Sequence, residues 1–246
     1  MRVFSLVILA LLSSARVASA EPSKEISRLG SQLRSDNPAA TRRAERRLEK
    51  LRSEDAYDQL VSFALEHLLA GKGFGAGGDL LARIGPPAIP AIVRAYPNQS
   101  DQVKWGIIEL APDWGPVSAP LINLAIAESN HRRQGLAAWA IGRARLPHAR
   151  ERLIELLKSP DPLIQEGAIS GLRVLHDPVA IEPLVEVLEA PNAEIPREQP
   201  IYLAPTDLHG CALQAINVIS GQHFEGDVEE IRQWMKKTGG GKRKTR

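Results

Sequence analysis

Six histidines, one cysteine and one glycine-rich run are the residues whose types and spacing invite a chemical reading. The histidines are His67, His131, His148, His176, His209 and His223. None is followed by glutamate, so the HExxH pattern of a zinc hydrolase is absent. His148 and His176 fall in or near turns at roughly equivalent repeat positions and read as turn or helix-end residues, with metal ligation the minor alternative. Cys211 stands alone, which excludes an intramolecular disulfide, a thiolate zinc cluster and a CxxC redox pair. His209 precedes it by two residues. On a helix that spacing sends the two side chains to different faces, so Cys211 reads as a small buried hydrophobe rather than a nucleophile. Gly73-Phe74-Gly75-Ala76-Gly77-Gly78 matches GxGxxG in form. A dinucleotide site needs a strand before that run, whereas residues 55–70 carry a helical pattern, and the glycines read as a connector between helices. Neither GxxxxGK[ST] nor GxSxG occurs. No catalytic residue, metal ligand or cofactor is assigned from these patterns.

The elements that would position any site must come from 246 residues that are 43% hydrophobic and only 4% aromatic. Such a core is aliphatic, which favours packed helices over an aromatic-rich β-sandwich. Residues 1–20 have the pattern of a secretory signal peptide: Arg2, the apolar run Val3 to Leu12, and Ala18-Ser19-Ala20 as a cleavage site. The expectation is an exported protein, periplasmic or extracellular, with no membrane-spanning segment in the mature chain. Without Arg2 and Arg16 the chain holds 29 basic and 29 acidic side chains. Six of the bases crowd into Lys236–Arg246, so the body carries six more acids than bases. That balance argues against specific nucleic-acid binding. The basic tail, 238–246, reads as a disordered segment suited at most to weak contact with an anionic surface. The segment 41–52 is also basic. Glu45 lies three residues from Arg42 and Glu49 three from Arg46, interleaved with these bases and Lys50, the pattern of a solvated, ion-paired helix face.

Self-similarity decides the architecture. Shifting the segment that begins at Asn130 by 31 residues places Gln134 on Gln165, Ala137 on Ala168 and Ile141 on Leu172. The same shift places Pro147 on Pro178, Leu153 on Leu184 and Leu157 on Leu188. Each unit contains two apolar-periodic segments of about ten to twelve residues, hence two helices. Asn37 and Asp161 precede Pro38 and Pro162 as cap-and-proline helix starts, while Pro90, Pro120 and Pro183 fit the first turn of a second helix. One such hairpin cannot bury its own apolar face. Stacking is expected to set Leu153, Ile154 and Leu157 against Leu184, Val185 and Leu188. Small residues (Ala137, Ala138, Ala140, Ala168 and Gly171) let the helices approach.

The stretches LARIGPPAIPAIV, AAWAIGRARLPHARERLIELL and AISGLRVLHDPVAIEPLVEVL resemble the HEAT-repeat family in its short form of about thirty residues, as found in phycobilisome-lyase-like repeats and in exported bacterial HEAT-repeat proteins. The resemblance implies an all-α solenoid over 36–237, preceded by an N-terminal helix within 21–35. About six helix pairs are expected, at 36–70, 77–96, 100–128, 130–158, 160–190 and 206–237. The iron-binding His-Glu dipeptides of HEAT-like deoxyhypusine hydroxylases are absent here, and no bilin-binding constellation of the lyases can be matched.

The segment 190–205 breaks the 31-residue rhythm and contains four prolines. Arg197 and Tyr202 within it are residue types enriched at interface hot spots and are the candidate partner-binding residues. The functional expectation is a non-catalytic scaffold of the cell envelope that binds a protein partner. A lyase or other enzyme with an unrecognised groove is the competing class, and envelope-polymer attachment through the tail is a third.

Overall fold

The computed structural model describes residues 24–33, 35, 37–50, 54–68, 75–196 and 207–239. These residues form thirteen α-helices: α1 Lys24–Leu33, α2 Pro38–Lys50, α3 Glu54–Glu66, α4 Gly75–Ile84, α5 Ile89–Ala95, α6 Asp101–Leu110, α7 Ala119–Ile126, α8 His131–Arg143, α9 Ala149–Leu156, α10 Pro162–Leu175, α11 Ile181–Glu189, α12 Leu208–Ser220 and α13 Val228–Thr238. Strand pairing among the described residues is confined to one antiparallel bridge between Glu194 and Asp207. From α2 onward the helices follow one another as pairs, and the fold is an all-α solenoid.

Local chemistry starts each helix where the sequence asks it to. The first helices α2, α6, α8, α10 and α12 are capped by a side-chain oxygen. Asn37 accepts from the Ala39 amide at 2.9 Å and Asp161 from the Leu163 amide at 2.9 Å. Ser100, Asn130 and Asp207 do the same for α6, α8 and α12. Pro90 and Pro120 occupy the first turns of α5 and α7, where a missing N–H leaves no bond unmade. The repeat alignment also has a polar meaning. Gln134 donates to the Ile126 carbonyl at 3.1 Å and Gln165 to the Leu157 carbonyl at 2.8 Å, each tying a first helix to the end of the preceding second helix.

The first helices of successive pairs stack α4 on α6, α6 on α8, α8 on α10 and α10 on α12. The α8–α10 interface is the tightest, and its cause is glycine. A Cβ at Gly135 would stand 2.3 Å from the Leu163 carbonyl oxygen, one at Gly167 2.0 Å from that of Gly135, and one at Gly142 2.3 Å from that of Gly171. The two backbones touch in parallel register. The alanines contribute less to this approach than their number suggests, although the Ala138 carbonyl does face Gly171.

Two expected contacts are rearranged. Leu153 does reach the core, but its side chain lies over Gly171 of α10. The layer of second helices runs through α3, α5 and α7 and resumes at α11 and α13. Between them α9 leans on α8 and α10 and makes only sparse contact with α11. The helix pair expected at 36–70 is not a self-packed hairpin either. Helix α1 packs on α2, α3 and α4, so it bridges two helices that barely meet.

Polar contacts about one repeat apart stitch neighbouring units. Asp113 accepts from Arg143, Asn123 from Arg152, and His131 pairs with Asp161. Asp177 accepts from Arg150 across the next junction.

Candidate functional site

The splaying of α9 from α11 opens a cleft of about 380 Å³ on the face of the second helices. Ile154 of α9 and Leu157 just after it line one side, Pro183 and Val187 of α11 the other, and Ala193 and Leu208 follow from the chain beyond. Lys158 and Glu186 stand at its mouth, with opposite charges. A hydrogen bond from Lys158 to Glu155, then the charge of Glu155, hold the Lys158 ammonium above its ordinary pKa. The physical origin of the cleft is local. Pro160 and Pro162 start α10 in a turn that cannot donate backbone hydrogen bonds at those positions, and Pro183 presents its ring, not a flexible side chain, to the gap. The result is a rigid, mostly apolar trough with a polar rim, the chemistry of a site for apolar side chains.

The wall beyond α11 is held in place. The Leu208 amide donates to the Ala193 carbonyl at 3.0 Å. His209 Nε2 donates to the Ala190 carbonyl at 2.8 Å, and its backbone amide donates to Asn192 Oδ1. Ile195 is buried.

A second feature lies where the second, third and fourth pairs meet. Arg133 of α8 is buried and donates to Glu128, and it also pairs with Asp101 of α6 at 2.8 Å. Lys104 reaches Glu128 at 2.9 Å, with its ammonium 5.3 Å from the centre of the Tyr96 ring. Burial opposes ionisation of Glu128, but the hydrogen bonds from Lys104 and Arg133 and their charges outweigh it and hold the carboxyl below the usual range. Tyr96 is enclosed, with Glu128 the acidic group nearest in influence on its hydroxyl. Burial, then the Glu128 charge, push that phenol well above its ordinary range. The cluster joins three units, so its chemistry is that of a junction.

The residues singled out by type disperse. His148 and His176 are exposed turn residues with left-handed backbones, φ 55° and 56°. They are not repeat equivalents, however. His176 ends α10 and matches Arg145, which is also left-handed at φ 51°, whereas His148 sits just before α9. His67 bonds its own helix at the Phe63 carbonyl. Cys211 is buried, while His209 reaches away to Ala190. Gly75, Gly77 and Gly78 form the first turn of α4 rather than a connector. A Cβ at Gly77 would lie 2.0 Å from the Ala64 carbonyl oxygen, so glycine is needed there for packing on α3. Among the described residues no group of three or more His, Cys, Asp or Glu converges to hold a metal ion. No described helix is long and apolar enough to cross a membrane.

Arg197 and Tyr202 lie outside the described residues, as do residues 1–20 and 240–246. Sequence reasoning did not find the cleft or the Glu128 junction. The prolines at 160, 162 and 183 were visible signals of the first. Nothing in the order of residues pairs Glu128 with Lys104.

Residues 118–202 match the family model for HEAT repeats. No curated protein matches the chain. Among solved structures, the crystal structure of an engineered protein aligns with 82% of this chain and 99% of its own, at 18% identity and a TM-score of 0.37.

Proposed function

We propose that this chain, of which residues 118–202 match the HEAT-repeat family model, is a non-catalytic scaffold that grips a protein partner of the cell envelope in the cleft between α9 and α11. A solenoid of helix pairs offers an extended, rigid surface, and repeat proteins use such surfaces for binding. The observation that carries the reading is the trough of Ile154, Leu157, Pro183, Val187, Ala193 and Leu208, apolar inside and charged at its mouth. Export is supported by the signal-like pattern of residues 1–20. Arg197 and Tyr202 belong to this proposal as further contacts on the strength of their residue types.

The test places a photo-crosslinking residue at Val187 and, as a control, at exposed Gln102 of α6 in the full-length protein in its native cell. A discrete protein adduct at Val187, missing at Gln102 and lost when Leu157→Asp is added to a variant that still shows its parent's helical circular dichroism, supports the reading. Identical adducts at both positions, or adducts unchanged by Leu157→Asp, refute it. Tyr202→Ala and Arg197→Ala are expected to weaken the same adduct.

A further inference from the structure

We propose that the exposed face of α2 is a docking surface for an anionic phospholipid membrane. Arg42, Arg43, Arg46 and Arg47 are all exposed on this helix. With a step of about 100° per residue they fall within an arc of about 140°, bordered on one side by position 49, about 20° beyond Arg42, and by position 45, about 60° beyond it. Ala44 lies on the other side and is fully buried. Four basic positions that are interleaved with other residues in the sequence therefore share one exposed strip of the helix. The helix is also placed to present that strip, since α1 is its main packing partner and it sits at the edge of the solenoid.

Charge complementarity selects the occupant. Guanidinium groups remain charged at every physiological pH and pair with phosphate oxygens in a planar fork. A straight helix offers them along a line, which fits a flat array of phosphate headgroups. A long nucleic acid would have to run on past α2 over a body with six more acids than bases, which repels it. A bilayer touches the strip alone. The proposal needs neither the α9–α11 cleft nor any partner protein.

The experiment is co-sedimentation of the full chain with vesicles of neutral phosphatidylcholine, with and without 30 mol% phosphatidylglycerol. All variants carry the same chain ends, so the N-terminal apolar run and the C-terminal basic tail contribute equally to each. Binding to the anionic vesicles should exceed binding to the neutral ones and should fall steeply between about 50 mM and 500 mM salt, as the screening length shrinks. Changing all four arginines to glutamine should reduce the partition coefficient by nearly three orders of magnitude or to the neutral-vesicle background, about fivefold per charge. The four-lysine variant should keep most of the binding, and unchanged helical circular dichroism shows that the glutamine variant is folded. Equal binding of parent and glutamine variant overturns the proposal. So does equal binding to the two vesicle types, or arginine-dependent retention of duplex DNA or RNA without retention on vesicles.

Discussion

Replacing Gly167 by alanine tests the packing on which the solenoid rests. By helix propensity alone the change stabilises α10 by about 1 kcal/mol. The added Cβ would lie 2.0 Å from the Gly135 carbonyl oxygen, against an ordinary contact of 3.4 Å or more. The obstacle is backbone, so no rotamer change relieves it, and α8 and α10 must separate by about 1.4 Å. A gap of 0.5–1 Å already forfeits about a quarter to a half of the dispersion energy along an interface. This interface also includes the Ala138–Gly171 approach and the Leu153 side chain seated over Gly171. Overpacking of this kind costs about 1–3 kcal/mol in ordinary cores, and a backbone-to-backbone clash belongs at or above the upper end. After the propensity gain, Gly167→Ala should destabilise the protein by about 2 kcal/mol. For a chain of this size that is a fall of roughly 4–8 °C in the thermal midpoint. Urea and thermal unfolding followed by circular dichroism at 222 nm give the value, with Gln102→Ala at an exposed position as the neutral control. A Gly167→Ala protein as stable as its parent, or more so, would mean that the backbones do not meet and that the glycine is only a weak helix former.

Other substitutions probe other levels. Leu184 is fully buried in α11, so Leu184→Ala should cost about 2–5 kcal/mol in urea unfolding, while Glu186→Ala on the exposed side stays within about 0.5. Glu128 has a lowered pKa in the folded state, so its contribution is fully present above the ordinary carboxyl pKa and disappears as the pH falls through the lower folded value. Unfolding curves between pH 6 and 3 should therefore fall more steeply for the parent than for Glu128→Gln. That variant should also lose about 2–3 kcal/mol at pH 7, because Arg133 and Lys104 keep their charges without a carboxylate between them. Asp161→Ala removes both the cap of α10 and the partner of His131 and should cost about 1–2 kcal/mol, more than the loss of the His131 pair alone in His131→Ala.

Much of this molecule was legible in the order of its residues, because the information is local or repeats at a fixed interval. Asn37 and Asp161 accept amide bonds from the helices they start, as their position before proline implies. Leu153 and Leu184 both reach the core, and Gln134 and Gln165 make the same bond one repeat apart. A helix has a period, and a period can be read from a string. Which helix lies against which, and how closely, has no such signature. Gly135 and Gly167 differ by 32 residues rather than 31, so the repeat alignment does not place one on the other, yet their backbones meet. The Lys104–Glu128–Arg133 junction and the gap between α9 and α11 arise from the same source. A superhelix sets interhelical spacing by the bulk of whatever residues happen to face each other, and that pairing exists only once the chain has folded.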